Sequence, residues 1–274
     1  MSVSNKYRLD KELLRRGLVV SRSQAEDIIR RGFVNVAGRN VTKPGLLVSE
    51  NVQILIKSRV SFVSRAGEKL HSVLDTLQLD FSDKVILDVG SSTGGFTELA
   101  LRMGAKKVIA VDVGTNQMHS RLRDDPRIEL HEKTDIRNVG LQPTEQRAMS
   151  KEQRVTSNEQ RAASNQQGVM IDVPDIVLID VSFISLREIL PHCSKLIAQN
   201  SLVVAMAKPQ FEAGDQYKHK GVIKNDSIRR NILKDFENWV QKLFIIVYKA
   251  DSGVAGAKGN QERFYLLKLS KERL

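Results

Sequence analysis

Cysteine is almost missing from this chain of 274 residues: Cys193 stands alone, so no internal disulfide framework can form, and a reducing compartment fits. No apolar run approaches the roughly 20 residues that span a bilayer. Met1 to Tyr7 carries no apolar signal segment, and the expectation is a cytoplasmic protein. His71, His119, His131, His192 and His219 show no ligand spacing with cysteine or acidic partners, so no metal is expected. Acidic residues are the minority, 32 against 43 Lys and Arg, for a formal net charge of +11. That excess points to a polyanion, either nucleic acid or an acidic membrane. Its distribution is uneven, because residues 1–60 hold 12 Lys and Arg against 5 Asp and Glu.

The first region, residues 1–58, reads as a small α+β domain. Leu9, Leu13 and Leu14 recur at helical spacing and Gly17 ends that helix; Ser21 caps a second helix with Ala25, Ile28 and Ile29, ended by Gly32. Phe33–Val36 and Val52–Ile56 read as strands, with turns at Ala37–Asn40 and Pro44–Gly45. Arg8, Lys11, Arg15, Arg16, Arg22, Arg30 and Arg31 form a compact basic surface, the candidate RNA contact. Tyr7 and Phe33 are the aromatics here, too few for base stacking to be the main grip, so shape and backbone charge are expected to dominate. Arg8-Leu-Asp10, Gly17, Ser21-Arg22-Ser-Gln-Ala25, Ile29, Gly32 and Val34-Asn-Val-Ala-Gly38 resemble the S4 RNA-binding domain over residues 7–57.

After a linker at 59–63, residues 64–274 read as an α/β domain. Ser64 to Leu77 predicts a leading helix with Leu70, Val73, Leu74 and Leu77 as its apolar stripe. Strands are expected at 84–89, 107–112, 127–131, 175–180, 201–207, 243–249 and 263–269, a seven-stranded, mostly parallel Rossmann-like sheet whose last two strands form an antiparallel hairpin. Three tandem copies of a seven-residue unit, starting at Glu145, Glu152 and Glu159, interrupt it within a 142–168 insert. Their a/d-like positions mix polar and apolar residues, so a loop insertion without a catalytic role is expected.

Asp88-Val-Gly-Ser-Ser-Thr-Gly-Gly-Phe96 follows the first apolar run, and Asp112 ends the second. A strand, a Gly-rich turn, a helix and a second strand ending in a carboxylate suit an adenosyl ligand at a doubly wound sheet. Gly90, Gly94 and Gly95 do not fit the phosphate-binding spacing G-x-G-x-x-G. An acid opening the turn instead suits a cationic end, such as the amino group of S-adenosylmethionine. Asp88, Gly90, Ser91, Ser92, Thr93, Gly94, Gly95 and Phe96 are expected at the methionine end, Asp112 at the ribose, and Asp135 at the adenine amino group.

Lys208 ends a buried apolar strand, an unusual place for an ammonium. There, with another lysine nearby, a neutral amine could serve as base. Asp180 ends another strand, Lys69 sits on the leading helix and Glu262 opens the last strand. Ordinary readings exist for each: a solvated helix lysine, an ion pair at the sheet rim, a strand-edge charge.

Val63-Ser-Arg-Ala-Gly-Glu-Lys69-Leu, Leu87 to Thr97, Asp180-Val-Ser-Phe-Ile-Ser-Leu, Lys208-Pro-Gln-Phe-Glu212, Gly221-Val-Ile and Gly259-Asn-Gln-Glu262 resemble the TlyA/haemolysin A family, over almost the whole chain except the insert. The resemblance implies an S4 domain joined to an RrmJ/FtsJ-like class I methyltransferase that uses S-adenosyl-L-methionine to methylate a ribose 2′-hydroxyl of ribosomal RNA, a cytidine by family habit. It also implies that Lys69, Asp180, Lys208 and Glu262 are the catalytic tetrad, with Lys208 as general base. Two other readings compete, a non-catalytic RNA-binding assembly factor and, last, a membrane-lytic protein. Asp251-Ser-Gly-Val-Ala-Gly-Ala-Lys lacks the prolines common in the family before its Gly-Asn-x-Glu motif, and the 212–226 stretch reads equally as a mobile loop or a plain connection.

Overall fold

The structure is a computed structural model that describes residues 6–19, 21–30, 32–56, 62–143, 168–214, 222–223, 225–256 and 259–270. The seven-residue repeats, Arg31, His219 and most of the 212–226 stretch lie outside the described residues. Two compact units divide the chain, Met1–Ser61 and Phe62–Leu274.

The first unit runs β1 (Lys6–Arg8), α1 (Leu9–Arg15), α2 (Arg22–Arg30), β2 (Val34–Val36), β3 (Arg39–Val41), β4 (Leu47–Ser49) and β5 (Ile54–Ile56). β2 lies between β3 and β5 in an antiparallel sheet, and β1 pairs with β4. Leu9, Leu13, Ala25, Ile29 and Val34 are fully buried at its core. Ser21 caps α2 as expected, its Oγ accepting the Gln24 N–H at 3.1 Å. Leu14, expected in the apolar stripe, is exposed instead. The turn after β2 is shorter than expected. Ala37 and Gly38, with φ of 48° and 85°, turn the chain by themselves, so Arg39 and Asn40 belong to β3.

The second unit runs α3 (Arg65–His71), α4 (Leu74–Leu77), β6 (Val85–Val89), α5 (Gly95–Arg102), β7 (Lys107–Val111), α6 (Ser120–Arg123), β8 (Ile128–His131), β9 (Gly140–Leu141), β10 (Met170–Ile171), β11 (Ile176–Ile179), α7 (Leu186–Cys193), β12 (Leu202–Ala207), α8 (Pro209–Glu212), α9 (Asp226–Val240), β13 (Phe244–Asp251) and β14 (Arg263–Leu269). Its sheet has the order β13-β14-β12-β11-β6-β7-β8, parallel except that β14 runs antiparallel to both neighbours. Alternate residues of each central strand feed two apolar layers, which is why these strands read as continuous apolar runs. Leu87, Ile109 and Val177 meet Leu190 of α7 and Phe236 of α9 on one face; Ile86, Val108 and Leu178 meet Leu70 of α3 and Phe96 of α5 on the other. Strand order reverses between β6 and β11, which opens a crevice beyond their carboxyl ends.

The single helix expected over Ser64 to Leu77 is broken into α3 and α4. Ser72 explains the break. Its hydroxyl donates to Lys69 O at 2.6 Å and accepts the Gly253 N–H at 2.9 Å, so a side chain takes over a carbonyl at the helix end and ties that end to the turn after β13. Below the break, α3 lies directly on the start of α5: a Cβ added to Gly67 would sit 2.8 Å from Gly95 O, and one added to Gly95 would sit 2.8 Å from Gly67 N.

Candidate active site

The turn after β6 is shaped by contact with the turn after β11. Gly90 has a φ of 79°, and a Cβ there would fall 2.7 Å from Asp180 O, so this approach requires glycine. Asp112, just past β7, grips both sides of the crevice mouth, Oδ2 accepting Ser92 N–H at 2.8 Å and Oδ1 accepting Gly114 N–H at 2.6 Å. Asp88 is buried at 1% exposure; its Oδ2 accepts the Thr97 hydroxyl at 2.6 Å while Oδ1 has no partner. Burial pushes this carboxyl up to about 7, against the Thr97 hydrogen bond and with help from the nearby Asp180 charge.

A cavity of about 500 Å³ opens here, lined by Asp88, Gly90, Ser91, Ser92, Thr93 and Phe96. Lys69, Asp180, Lys208 and Glu262 line the same cavity, brought together from α3 and from the loops at β11, β12 and β14. A second cavity of about 520 Å³ holds Asp112 and Asp135 and shares Gly90, Ser92 and Asp180 with the first. Two of the expected cofactor residues line neither. Gly94 makes room for Met118 and Leu122, where a Cβ would meet both at 2.5 Å, and Gly95 makes room for α3. Asp135 lines the second cavity with its carboxylate held below the usual range by a forked hydrogen bond from Arg137.

The four candidate catalytic residues form two ion pairs. Lys69 Nζ donates to Glu262 Oε1 at 2.9 Å, and Lys208 Nζ lies 2.6 Å from Asp180 Oδ1. Each amine therefore has its own carboxylate partner, and both lysines line the same cavity. Lys208 also donates to Ser182 Oγ at 2.7 Å. Several polar atoms at the cavity remain buried without a partner: Ser64 Oγ, Asp88 Oδ1, Ser91 Oγ, Gln210 Oε1 and Glu262 Oε2. Unpaired buried groups cost about 1–3 kcal/mol each. Clustered beside one cavity, they suit a ligand that brings its own donors and acceptors.

Residues without a role in the sequence reading complete the site. Phe183 is 92% exposed with a φ of 68°, a strained conformation for a side chain with a Cβ, and its ring centroid lies 5.4 Å from that of Phe211. Glu212 is buried and spans two loops, accepting the Ser185 hydroxyl at 2.6 Å and the Leu186 N–H at 2.8 Å. Burial pushes its carboxyl upward. Both residues belong to the motif segments that carry the resemblance, but only coordinates show which of those side chains stand free and which are buried.

In the first unit, much of the basic surface is committed internally. Asp10 and Glu12 are fully buried carboxylates. Asp10 accepts from Arg8 at 3.0 and 2.9 Å and from Arg22 at 3.0 Å; Glu12 accepts from Arg15 at 2.8 Å twice and from Arg16 at 2.7 Å. Their arginine partners hold the two carboxyls down to about 2. Arg16 continues to Val52 O and Glu50 O at 2.7 and 2.6 Å, joining α1 to the β4–β5 turn. Arg30 reaches Glu26 only at 4.0 Å, and Lys11 has no ion-pair partner among the described residues. Among those residues, no cluster of His, Cys, Asp or Glu could hold a metal, and no helix is long and apolar enough to cross a membrane.

Comparison with known proteins agrees with this arrangement. The FtsJ-like methyltransferase family model matches residues 62–269, and the S4 domain model matches residues 8–54. The chain is 32% identical over 276 residues to the 16S/23S rRNA (cytidine-2′-O)-methyltransferase TlyA of Mycobacterium tuberculosis, covering 99% of this chain and 93% of that protein. It is 35% identical over 261 residues to Hemolysin A of Brachyspira hyodysenteriae, covering 93% and 97%. A solved structure from Streptococcus thermophilus that carries the hemolysin name superposes with a TM-score of 0.66 at 32% identity, covering 98% of this chain and 90% of that one.

Proposed function

Since this chain belongs to the FtsJ-like methyltransferase family and carries an S4 domain, we propose that it methylates a ribose 2′-hydroxyl of ribosomal RNA, at a cytidine, with Lys69, Asp180, Lys208 and Glu262 as its catalytic group. The observation that carries this reading is the meeting of the Lys69–Glu262 and Lys208–Asp180 pairs at one cavity that also holds the unpartnered Asp88 oxygen.

Bound S-adenosylmethionine supplies an electrophilic methyl on a sulfonium. The unpartnered oxygens of Ser64, Asp88 and Ser91 fit its amino-acid end, and Asp112 with Asp135 fit its adenosine end in the second cavity. A ribose hydroxyl is a weak nucleophile at neutral pH, so placement and proton removal have to supply the rate. A neutral lysine amine has two N–H donors and one lone pair. Ser182 Oγ accepts one N–H of Lys208 and Asp180 is its ion-pair partner, so once the amine has given up a proton its lone pair can receive that of the hydroxyl. Lys69 fixes Glu262 through one oxygen, and the other, Oε2, is available to the ribose. Phe183 and Phe211 offer a stacking surface beside the cavity for the acceptor's base. Arg8, Lys11, Arg15, Arg22 and Arg30 present charge for the RNA backbone, three of them from positions already fixed by Asp10 or Glu12.

Unmodified ribosomal RNA and ribosomal subunits, incubated with the chain and methyl-tritiated S-adenosylmethionine, should yield labelled 2′-O-methylcytidine after nuclease digestion. Label on a base, or none in either substrate, would overturn the reading. Absence of cofactor binding in a direct titration would instead support the competing assembly-factor role.

A further inference from the structure

We propose that Glu212 is a positioning residue for methyl transfer, locking the turn that carries Lys208 to the turn that carries Asp180 and Ser182. The inference rests on the ribose-methylation reading and deepens it.

Two parallel neighbouring strands, β11 and β12, deliver these turns, but the ladder between them ends at the Ile179–Ala205 pair. Beyond that, the Lys208–Asp180 distance depends on what the turns do. The first is rigid within itself: Pro209 fixes its own φ, and Lys208 O accepts the Phe211 and Glu212 N–H groups at 2.8 and 3.3 Å, so residues 208–212 form one helical turn. The second is not rigid by its own means, since it contains Phe183 in the left-handed region, a conformation the chain holds only when its surroundings fix it.

Glu212 supplies the fixing contact. At 6% exposure it accepts Ser185 Oγ at 2.6 Å and Leu186 N at 2.8 Å. The result is a closed ring, from Lys208 through the helical turn to Glu212, across to Ser185, back along the chain to Ser182 and Asp180, and across again to Lys208 Nζ. With the ring intact, Lys208 keeps its hydrogen bond to Ser182 and its ion pair with Asp180, and Phe183 stays on display. A break at Glu212 leaves the second turn free to relax toward ordinary φ, which moves Ser182 and Asp180 away from the amine.

The glutamate also caps α7 through Leu186, so a purely architectural role is the alternative. The full-length Glu212→Ala, Glu212→Gln and Ser185→Ala variants separate the two. For each, kcat on ribosomal RNA, the dissociation constant for S-adenosylmethionine and the unfolding midpoint are measured well below that midpoint. Glu212→Ala should lower kcat by up to about 100-fold, the scale of a misplacement near 1 Å, with cofactor affinity unchanged. Glu212→Gln keeps one oxygen for Leu186 N–H and gains an amide donor for Ser185 Oγ, so it should recover most of the rate. Ser185→Ala, which removes one arm only, should show the same split at smaller amplitude and carries the test if Glu212→Ala fails to fold. An undiminished kcat in Glu212→Ala and Ser185→Ala, parallel losses of kcat and cofactor affinity, or a Gln variant as slow as the Ala variant would each overturn the proposal. Lack of product from the wild-type chain would overturn the ribose reading itself, and the brace with it.

Discussion

Asp112 and Ser92 are joined before any ligand arrives: the carboxylate Oδ2 holds the Ser92 N–H at 2.8 Å, and its other oxygen holds Gly114 N–H. A carboxylate at this place in a doubly wound sheet is usually thought of as a ribose contact. Here it also sets the shape of the loop that the ribose would rest on. Asp112→Ala should therefore weaken S-adenosylmethionine binding by roughly 1.5–3 kcal/mol, about ten- to hundred-fold, from hydrogen bonds to one charged group. Isothermal titration with the cofactor reads this directly, and an affinity within experimental error of wild type would remove the assignment.

Lys208→Ala should abolish methyl transfer, with a loss on the order of 10²–10⁴-fold, while the cofactor titration stays close to wild type. Lys208→Arg should fail as well, since a guanidinium keeps its proton and cannot receive another. Single-turnover assays on ribosomal RNA would measure both. Substantial turnover by either variant would move the proton-accepting role elsewhere.

Asp88 gives a pH signature of definite sign. Its folded value near 7 lies above the ordinary carboxyl range. The protonated form is favoured in the fold, so this group's contribution to stability is complete below about pH 4 and is lost as pH rises through 7. Asp88→Asn, neutral throughout, should flatten the stability curve between those limits and leave the variant more stable than wild type at pH 8 by a few kcal/mol at most. Cofactor binding should move the opposite way: a cationic amino group draws the proton off Asp88, so wild-type affinity rises through pH 7 and the Asn variant stays weak. Thermal unfolding and cofactor titration across pH 5–8 test both halves.

Two basic residues in the first unit should part company. Arg16 holds Glu12 and two carbonyls, so Arg16→Ala should destabilise the unit by roughly 1–3 kcal/mol, the cost of removing a partner from buried acceptors. Lys11 has no such duties, and Lys11→Ala should leave stability alone, weaken RNA binding and reduce the salt dependence by about one ion. Urea unfolding and filter binding at several salt concentrations would separate them. Equal effects of the two variants on both readouts would contradict the division of labour.

The centre of the sheet was legible because its strands lie buried on both faces. Apolar runs such as Val85-Ile-Leu87 and Val203-Val-Ala-Met-Ala207 have few alternatives, and each expected strand agrees with the structure to within two residues. The broken leading helix was not legible, since its apolar stripe continues through Ser72 and only the hydroxyl's contacts with Lys69 O and Gly253 N stop it. In the first unit, β1, β3 and β4 are three residues each, too short to carry a period. Asp180, Lys208 and Glu262 stood out as charges at the tips of apolar strands, and Lys69 through the motif on the leading helix. Ser182, Phe183 and Glu212 did not, because a hydroxyl, an exposed ring and a bridging carboxylate declare themselves only through what they touch or fail to touch. Gly94 and Gly95 carry packing contacts that were not legible either, because a glycine that admits a ligand and one that admits a helix look alike in a row of letters.

Gly67 and Gly95 bring α3 and α5 into close approach: a Cβ on either would fall 2.8 Å from the other's backbone, and nearer still to the side chain of Phe62 or Ser64. Lys69 lies two residues along that same helix, and the loop beside the donor pocket ends where Gly95 begins. On the proposed reading, aim at the acceptor and grip on the donor therefore share a single datum surface, in which main chain faces main chain. A methyl group added there would have to displace main chain as well as the Phe62 or Ser64 side chain, and with them the alignment of the two halves of the proposed reaction.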